Sequence, residues 1–323
     1  MKRVLLTGAG GYVGRALAGM LLARLRAGEI DALTLLDLSL PPLPTLRGLR
    51  CLEGDLGDAS LLDAALTPQP DTVFHLAGIT SRLAEEDFAT GLRVNVGHSV
   101  ALFEALRTRG CHPVLVFASS IGVFGTPLPQ SIDDDTPPAP TLSYGAQKRA
   151  VEILLADYSR RGWIDGRSPR LSGVVARPSQ AQGALSSFAS ELIRAPAEGR
   201  AMTCPIGPDG TMWLLSLSAC VGHLLRAAEV DAALLPGQRA FNLPALRASA
   251  GEVVAALARR FGGGVERLVR FDPQPALQAQ FAAWPPLTST VAERLGMRHD
   301  GTLDTLIERA LQPCPLSSPI FQP

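Results

Sequence analysis

Apolar and polar positions divide the chain into two textures. Up to residue 178, short runs apolar on both faces alternate with stretches of helical period. The runs are RVLLT (3–7), ALTLLD (32–37), DTVFHLAG (71–78), PVLVFASS (113–120) and LSGVVARP (171–178), and the helical stretches cover 13–26, 60–66 and 91–109. A strand with two apolar faces sits in a sheet covered by helices on both sides, and strand–helix–strand order demands parallel pairing through right-handed crossovers. The pattern predicts an α/β chain with a doubly wound parallel sheet over residues 1–178. From 179 to 311 the texture changes to helical periods at 187–199, 218–229 and 249–262, with strand candidates RAFNLP (239–244) and ERLVRF (266–271). This part is expected to form a smaller substrate-binding lobe over the C-terminal edge of the sheet, with some strands returning to the main sheet. The Pro- and Ser-rich stretch 312–323 is expected to be a loosely ordered tail.

Composition narrows the function. A chain of 323 residues with 46% hydrophobic content can bury one large core or two coupled lobes. Acidic and basic residues balance at 30 each with no basic run, which argues against nucleic-acid binding. No apolar stretch approaches the roughly 18 residues of a membrane span, and the start MKRVLLTGAG passes into glycines instead of a signal-peptide core. A cytoplasmic location follows as an expectation. Five cysteines and five histidines are scattered without ligand spacing, so reduced, mostly buried thiols and no metal are expected. The acidic run at 133–135 lies in a Pro-rich loop and reads as a solvated turn.

Chemistry enters with TGAGGYVG. Gly8, Gly11 and Gly14 follow the first strand and open a helix. A tight turn, a close backbone approach and free N–H groups at a helix start together make a pyrophosphate cradle, as in a Rossmann fold. Asp37 ends the second strand, 23 residues after Gly14, where an acid accepts hydrogen bonds from ribose hydroxyls and repels a 2′-phosphate. NAD is therefore expected in preference to NADP.

The second signal is a lysine. Of 30 basic residues only Lys2 and Lys148 are lysine, and Lys148 stands one helical turn after Tyr144. A compact ammonium lowers a neighbouring phenol's pKa and binds ribose hydroxyls, which a planar guanidinium does poorly. Ser120 ends the fifth strand, at the sheet edge where ligands bind, and is expected to hold a substrate hydroxyl while Tyr144 takes its proton.

With Gly8–Gly14, Asp55-Leu56, His75–Gly78, Asn95, Ser120 and the Tyr144…Lys148 pair in view, the chain resembles the extended short-chain dehydrogenase/reductase family to about residue 310. The resemblance implies Ser120, Tyr144 and Lys148 as catalytic residues. It implies a dinucleotide site of Gly8, Gly11, Tyr12, Val13, Gly14, Asp37, Asp55, Leu56, Leu76, Ala77, Gly78, Asn95, Tyr144, Lys148 and Pro178. It also implies a homodimer bundled through the helices at 91–109 and 144–158. Stretches 85–95, 132–148, 154–171, 186–196 and 239–244 look closest to the D-erythronate dehydrogenases of that family, which oxidise a four-carbon sugar acid at C2 with NAD. The resemblance breaks at Ser179-Gln180-Ala181-Gln182, where those enzymes carry Gly-Lys-Pro-Asn.

Two rivals stand beside a sugar-acid dehydrogenase. One is a nucleotide-sugar epimerase or dehydratase, whose diphosphate-gripping arginine has no counterpart in DGTMWLLSLSACV (209–221). The other is a non-catalytic NAD(P) sensor, which would have no need to keep both Tyr144 and Lys148. For a small acid substrate, Arg82 and Arg194 are the expected carboxylate ligands, and Ser81, Ser120, Ser186 and Ser187 the expected partners of its hydroxyls.

Overall fold

The computed structural model describes residues 1–177 and 187–312. Strands β1 (Arg3–Thr7), β2 (Ala32–Asp37), β3 (Leu49–Glu53), β4 (Thr72–His75), β5 (Val114–Phe117), β6 (Ser119–Ser120) and β7 (Asp165–Leu171) run parallel. Their order is β3-β2-β1-β4-β5-β7, with β6 continuing from β5 to pair with the end of β7. Helices α1 (Tyr12–Arg26), α2 (Ala59–Ala65), α3 (Ser81–Glu86), α4 (Phe88–Gly91), α5 (His98–Thr108) and α6 (Ser143–Arg160) belong to the connections. On one face Leu17, Leu21 and Leu22 of α1 pack against Leu6, Leu33 and Leu35. On the other, Leu102 and Phe103 of α5 and Val151 and Leu155 of α6 cover Leu5, Val73 and Leu115.

The second half contributes β8 (Gly173–Val175), β9 (Met202–Cys204), β10 (Thr211–Ser216), β11 (Ala240–Asn242), β12 (Leu246–Ser249) and β13 (Val269–Phe271). Its helices are α7 (Phe188–Ala197), α8 (Leu217–Glu229), α9 (Ala250–Phe261), α10 (Pro275–Phe281), α11 (Thr290–Arg294) and α12 (Leu303–Ala310). β11 joins the main sheet beside β7, and Leu224 of α8 and Phe241 of β11 share the core of α1. A smaller sheet of β12-β10-β8 and a β13-β9 pair carry a separate core with α7, α9 and α12. The halves thus share a sheet and one core.

Several sequence expectations need correction. The strand expected at 171–178 is divided: β7 is the main-sheet strand and β8 belongs to the small sheet. β7 reads DGRSPRL and was concealed by its arginines, which are buried because Arg167 pairs with Asp165 and Arg170 with Glu152. β3 was also missed, because its burial is only partial and its period weak. Within the helical run at 91–109, a π-helical turn (Leu92–Gly97) replaces regular α-helix. The acidic run at 133–135 is not wholly a solvated turn either: Asp134 is buried and accepts from the N–H groups of Asn242 and Val291, both at 2.9 Å. Among the thiols, Cys204 and Cys220 are buried but Cys51 is exposed. No helix among the described residues is long and apolar enough to cross a membrane.

Candidate active site

β1 and β4 are neighbours whose following loops diverge, which opens a crevice at the sheet's C-terminal edge. The glycine loop lies along it. Gly8 has φ +74°, and a Cβ there would stand 2.5 Å from the Ala77 nitrogen; one on Gly14 would stand 1.9 Å from the Gly8 oxygen. These two glycines let strand, loop and α1 pack together. Gly11 is different: its Cβ would meet nothing closer than 3.4 Å, and no side chain caps α1 at that position. Gly10, which the motif did not single out, donates its N–H to Asp37 Oδ2 at 2.8 Å, while Leu38 N–H donates to Oδ1 at 2.7 Å. Asp37 is thereby fixed at the mouth of the loop. The cleft is lined by Gly8, Gly11, Tyr12, Val13, Gly14, Leu76 and Gly78, and ends at Tyr144 and Lys148.

Other residues of the expected cofactor set stand elsewhere. Leu56 is buried in the core with Leu36 and Leu62 and does not line the cleft. Asp55 binds Gly57 N–H and the Arg93 guanidinium, and these with His98 hold its carboxyl below the usual range. Asn95 is buried in the π-helical turn. Its Oδ1 accepts from Ile79 N–H at 2.8 Å and its Nδ2 donates to Gln147 Oε1 at 2.7 Å. It thus ties the loop after β4 to α6, a positioning role. Pro178 and Ser186 lie outside the described residues, as do Ser179–Gln182.

The structure brings Ser120, Tyr144 and Lys148 together. The Ser120 hydroxyl accepts from Gly122 N–H at 3.0 Å and lies beside the Tyr144 phenol, whose pKa it helps to lower. This turn and the start of α6 touch backbone to backbone, since a Cβ on Gly145 would stand 1.9 Å from the Gly122 oxygen. Lys148 Nζ donates to the Ala118 carbonyl at 2.9 Å and lies 5.7 Å from the Tyr144 ring centre. Burial pulls Lys148 down to about 8, against the pull of Glu152. Tyr144 departs from the expectation: burial raises its pKa, and the charge that opposes the rise most is Arg177, helped by the Ser120 hydrogen bond. Behind them, Glu152 accepts from Ser119 Oγ at 2.6 Å and pairs with Arg170 at 2.9 Å, both side chains fully buried.

This geometry agrees with the relationships of the chain. The profile of the NAD dependent epimerase/dehydratase family matches residues 4–214. The chain belongs to that family. D-erythronate dehydrogenase from Cupriavidus necator is 39% identical over 318 residues, 96% of this chain and 98% of that protein. The protein of the same name from Haemophilus influenzae is 31% identical, covering 96% of this chain and 99% of its own length. Among solved structures, a nucleoside-diphosphate-sugar epimerase from Agrobacterium tumefaciens superposes with a TM-score of 0.88 at 33% identity, covering 95% of this chain and 92% of that one. Like other members with dehydrogenase activity, the chain is an NAD-dependent oxidoreductase.

The residues present fit NAD: a glycine turn without room for a Cβ at Gly8 or Gly14, an open Gly11 at an uncapped helix start, and a carboxylate fixed by Gly10. Beyond the Tyr144 end of the cleft lies a second cavity, of about 140 Å³, reached past Ser120 and Tyr144. Ser81 and Ser187 line it, with Phe188, Trp213 and Trp284 as aromatic walls. Trp213 is held by its indole N–H on the Pro285 carbonyl at 2.7 Å. Neither expected carboxylate ligand lines the cavity. Arg82 is exposed, and Arg194 donates to the Ala176 carbonyl at 2.7 Å and pairs with Glu198. The cation that does line it is Arg177, which sequence reasoning passed over because one arginine among so many carries no signal.

Proposed function

We propose that this enzyme oxidises the C2 hydroxyl of a small sugar acid, D-erythronate or a close four-carbon relative, to the 2-oxo acid. The observation that supports it most is the Ser120–Tyr144–Lys148 group standing where the nucleotide cleft meets a small, largely apolar-walled cavity. Gly8, Gly11, Gly14 and Asp37 would hold the dinucleotide, with Lys148 toward the nicotinamide ribose. Bound NAD supplies the hydride acceptor. Ser120 and Tyr144 hold the substrate hydroxyl, and the Tyr144 phenolate receives its proton as the C2 hydrogen leaves with its electron pair. The carbonyl then forms at C2. Arg177 opposes the rise that burial imposes on the Tyr144 phenol, and a base matched to working pH contributes about 10²–10⁴-fold to rate.

The likeness to a sugar-nucleotide epimerase supports a second reading, in which the same group interconverts a nucleotide sugar without net NADH. One panel separates the two: NADH formation with aldonates, uronates and nucleotide sugars. NADH from four-carbon acids is expected. Conversion of a nucleotide sugar alone, with no free acid oxidised, would replace the proposal. Tyr144→Phe should lower kcat about a thousandfold while NAD still binds; retained turnover would remove Tyr144 from the mechanism. The reading includes a homodimer, supported by exposed Leu83, Phe88, Leu92 and Ile153 on α3, α4, the π-helical turn and α6.

A further inference from the structure

An acid drawn into a cavity walled by Phe188, Trp213 and Trp284 needs an opposite charge, because an unpaired buried carboxylate costs several kcal/mol or stays protonated. Among the described residues lining the cavity, Arg177 is the only charged side chain. The stretches 178–186 and 313–323 contain no Asp, Glu, Lys or Arg, so they bring no competing side-chain charge.

Arg177 also differs from the chain's other shielded arginines. Arg167 is spent on Asp165 and the Val230 carbonyl, Arg170 on Glu152, and Arg194 on Glu198 and the Ala176 carbonyl. The half-buried Arg177 guanidinium donates to no described residue. Its contact is the Tyr12 ring, 5.8 Å below, and that ring is pinned by its own hydroxyl on the Val175 carbonyl at 3.0 Å. The fork is thus held in place with its donors unspent on any described residue.

We infer that Arg177 is the anchor for the substrate's carboxylate, and that its position beside Tyr144 selects a hydroxyl on the carbon next to that carboxylate. The inference rests on the sugar-acid reading of this cavity and supplies what that reading lacks. A two-oxygen carboxylate matches the planar fork of arginine in a way that lysine cannot reproduce. Because Arg177 and Tyr144 line the same cavity of about 140 Å³, one small molecule that meets both groups must carry its acid and its reacting hydroxyl close together. A 2-hydroxy acid meets that condition; a sugar acid oxidised at its far end does not. Arg177 also lines the nucleotide cleft, so a grip on the dinucleotide phosphates is the competing role.

The test uses the full chain with Arg177→Gln and Arg177→Lys, each assayed with D-erythronate, with the neutral D-erythronamide, and for NAD affinity by calorimetry. Removing one partner of a desolvated charge pair should cut kcat/KM for the acid about thirtyfold or more. The ratio of acid to amide activity should collapse in Arg177→Gln and recover in part in Arg177→Lys, with NAD affinity held. The acidic limb of the kcat/KM profile should also move to higher pH in Arg177→Gln, since a cation that lowered the phenol is gone. An unchanged acid-to-amide ratio would overturn the inference. So would a loss of NAD affinity in its place, which would assign Arg177 to the dinucleotide. Amide turnover shows that each variant is folded. A wild-type enzyme that oxidises no sugar acid at all refutes the substrate reading itself, before Arg177 is tested.

Discussion

Replacing Lys148 with methionine should make the protein more stable and leave it inactive. Lys148 is 4% exposed, and burial brings its pKa from 10.5 down to about 8. That descent corresponds to about 3 kcal/mol by which the buried ammonium weakens the fold at pH 7. Methionine has similar length and no charge. It leaves the Ala118 carbonyl without the donor that now stands 2.9 Å away, at a cost of about 1 kcal/mol. A net gain of about 2 kcal/mol is expected. The sign can be checked against pH. The native chain gives up the Lys148 proton near pH 8 and the unfolded chain near 10.5. Between those values the unfolded state binds more protons, so wild-type stability rises with pH. The variant lacks this rise, and its advantage should shrink steadily over that window. Urea unfolding of both proteins from pH 7 to 10.5, at fixed ionic strength, measures the gap. A variant no more stable than wild type at pH 7, or a gap that does not shrink with pH, would refute the reasoning.

Asp37→Asn keeps an acceptor for only one of the two N–H groups of Gly10 and Leu38 and removes the charge facing a 2′-phosphate, so the ratio of kcat/KM for NADP to that for NAD should rise at least about tenfold; an unchanged ratio would show that Asp37 does not set the choice. Phe88→Glu combined with Ile153→Glu places charge on the exposed apolar positions of α4 and α6, and sedimentation should then report a monomer if these surfaces join two copies. A dimer that survives both changes would place the contact elsewhere.

How much of this was visible in the sequence depends on what each element hides. β1, β2, β4 and β5 are apolar and buried on both faces, and α1 shows its apolar stripe plainly, so these four strands and their parallel pairing could be read. β7 could not, because its core positions are arginines, neutralised by Asp165 within the strand and by Glu152 farther off, with the Val230 carbonyl as a further partner of Arg167. Charge read locally looks like surface; only the fold shows it neutralised. The π-helical turn was invisible for a related reason, since its residues fit an α-helix equally well and only the bonds of Asn95 to Ile79 and Gln147 give the bulge a purpose. In the site, residue types of restricted use were legible: glycines in a loop, an acid at a strand end, one lysine after a tyrosine. Arg177 and the Trp213–Trp284 wall were not, because arginine and tryptophan are ordinary core and surface material until a cavity forms between them.

The lone internal lysine can now be understood from its neighbours. Glu152 stands one turn beyond it and is its nearest buried acid in effect, yet that carboxylate is already occupied by Arg170, Arg149 and Ser119. Lys148 is therefore charged without being locked in an ion pair. Its ammonium keeps the Ala118 carbonyl, the face of Phe117 at 4.6 Å and free donors toward the cleft. A guanidinium at 148 would hold its proton at every pH and compete for Glu152 through its fork. The fully buried arginines, Arg167 and Arg170, are locked to acids; the site needs one cation that leaves its acid neighbour to others.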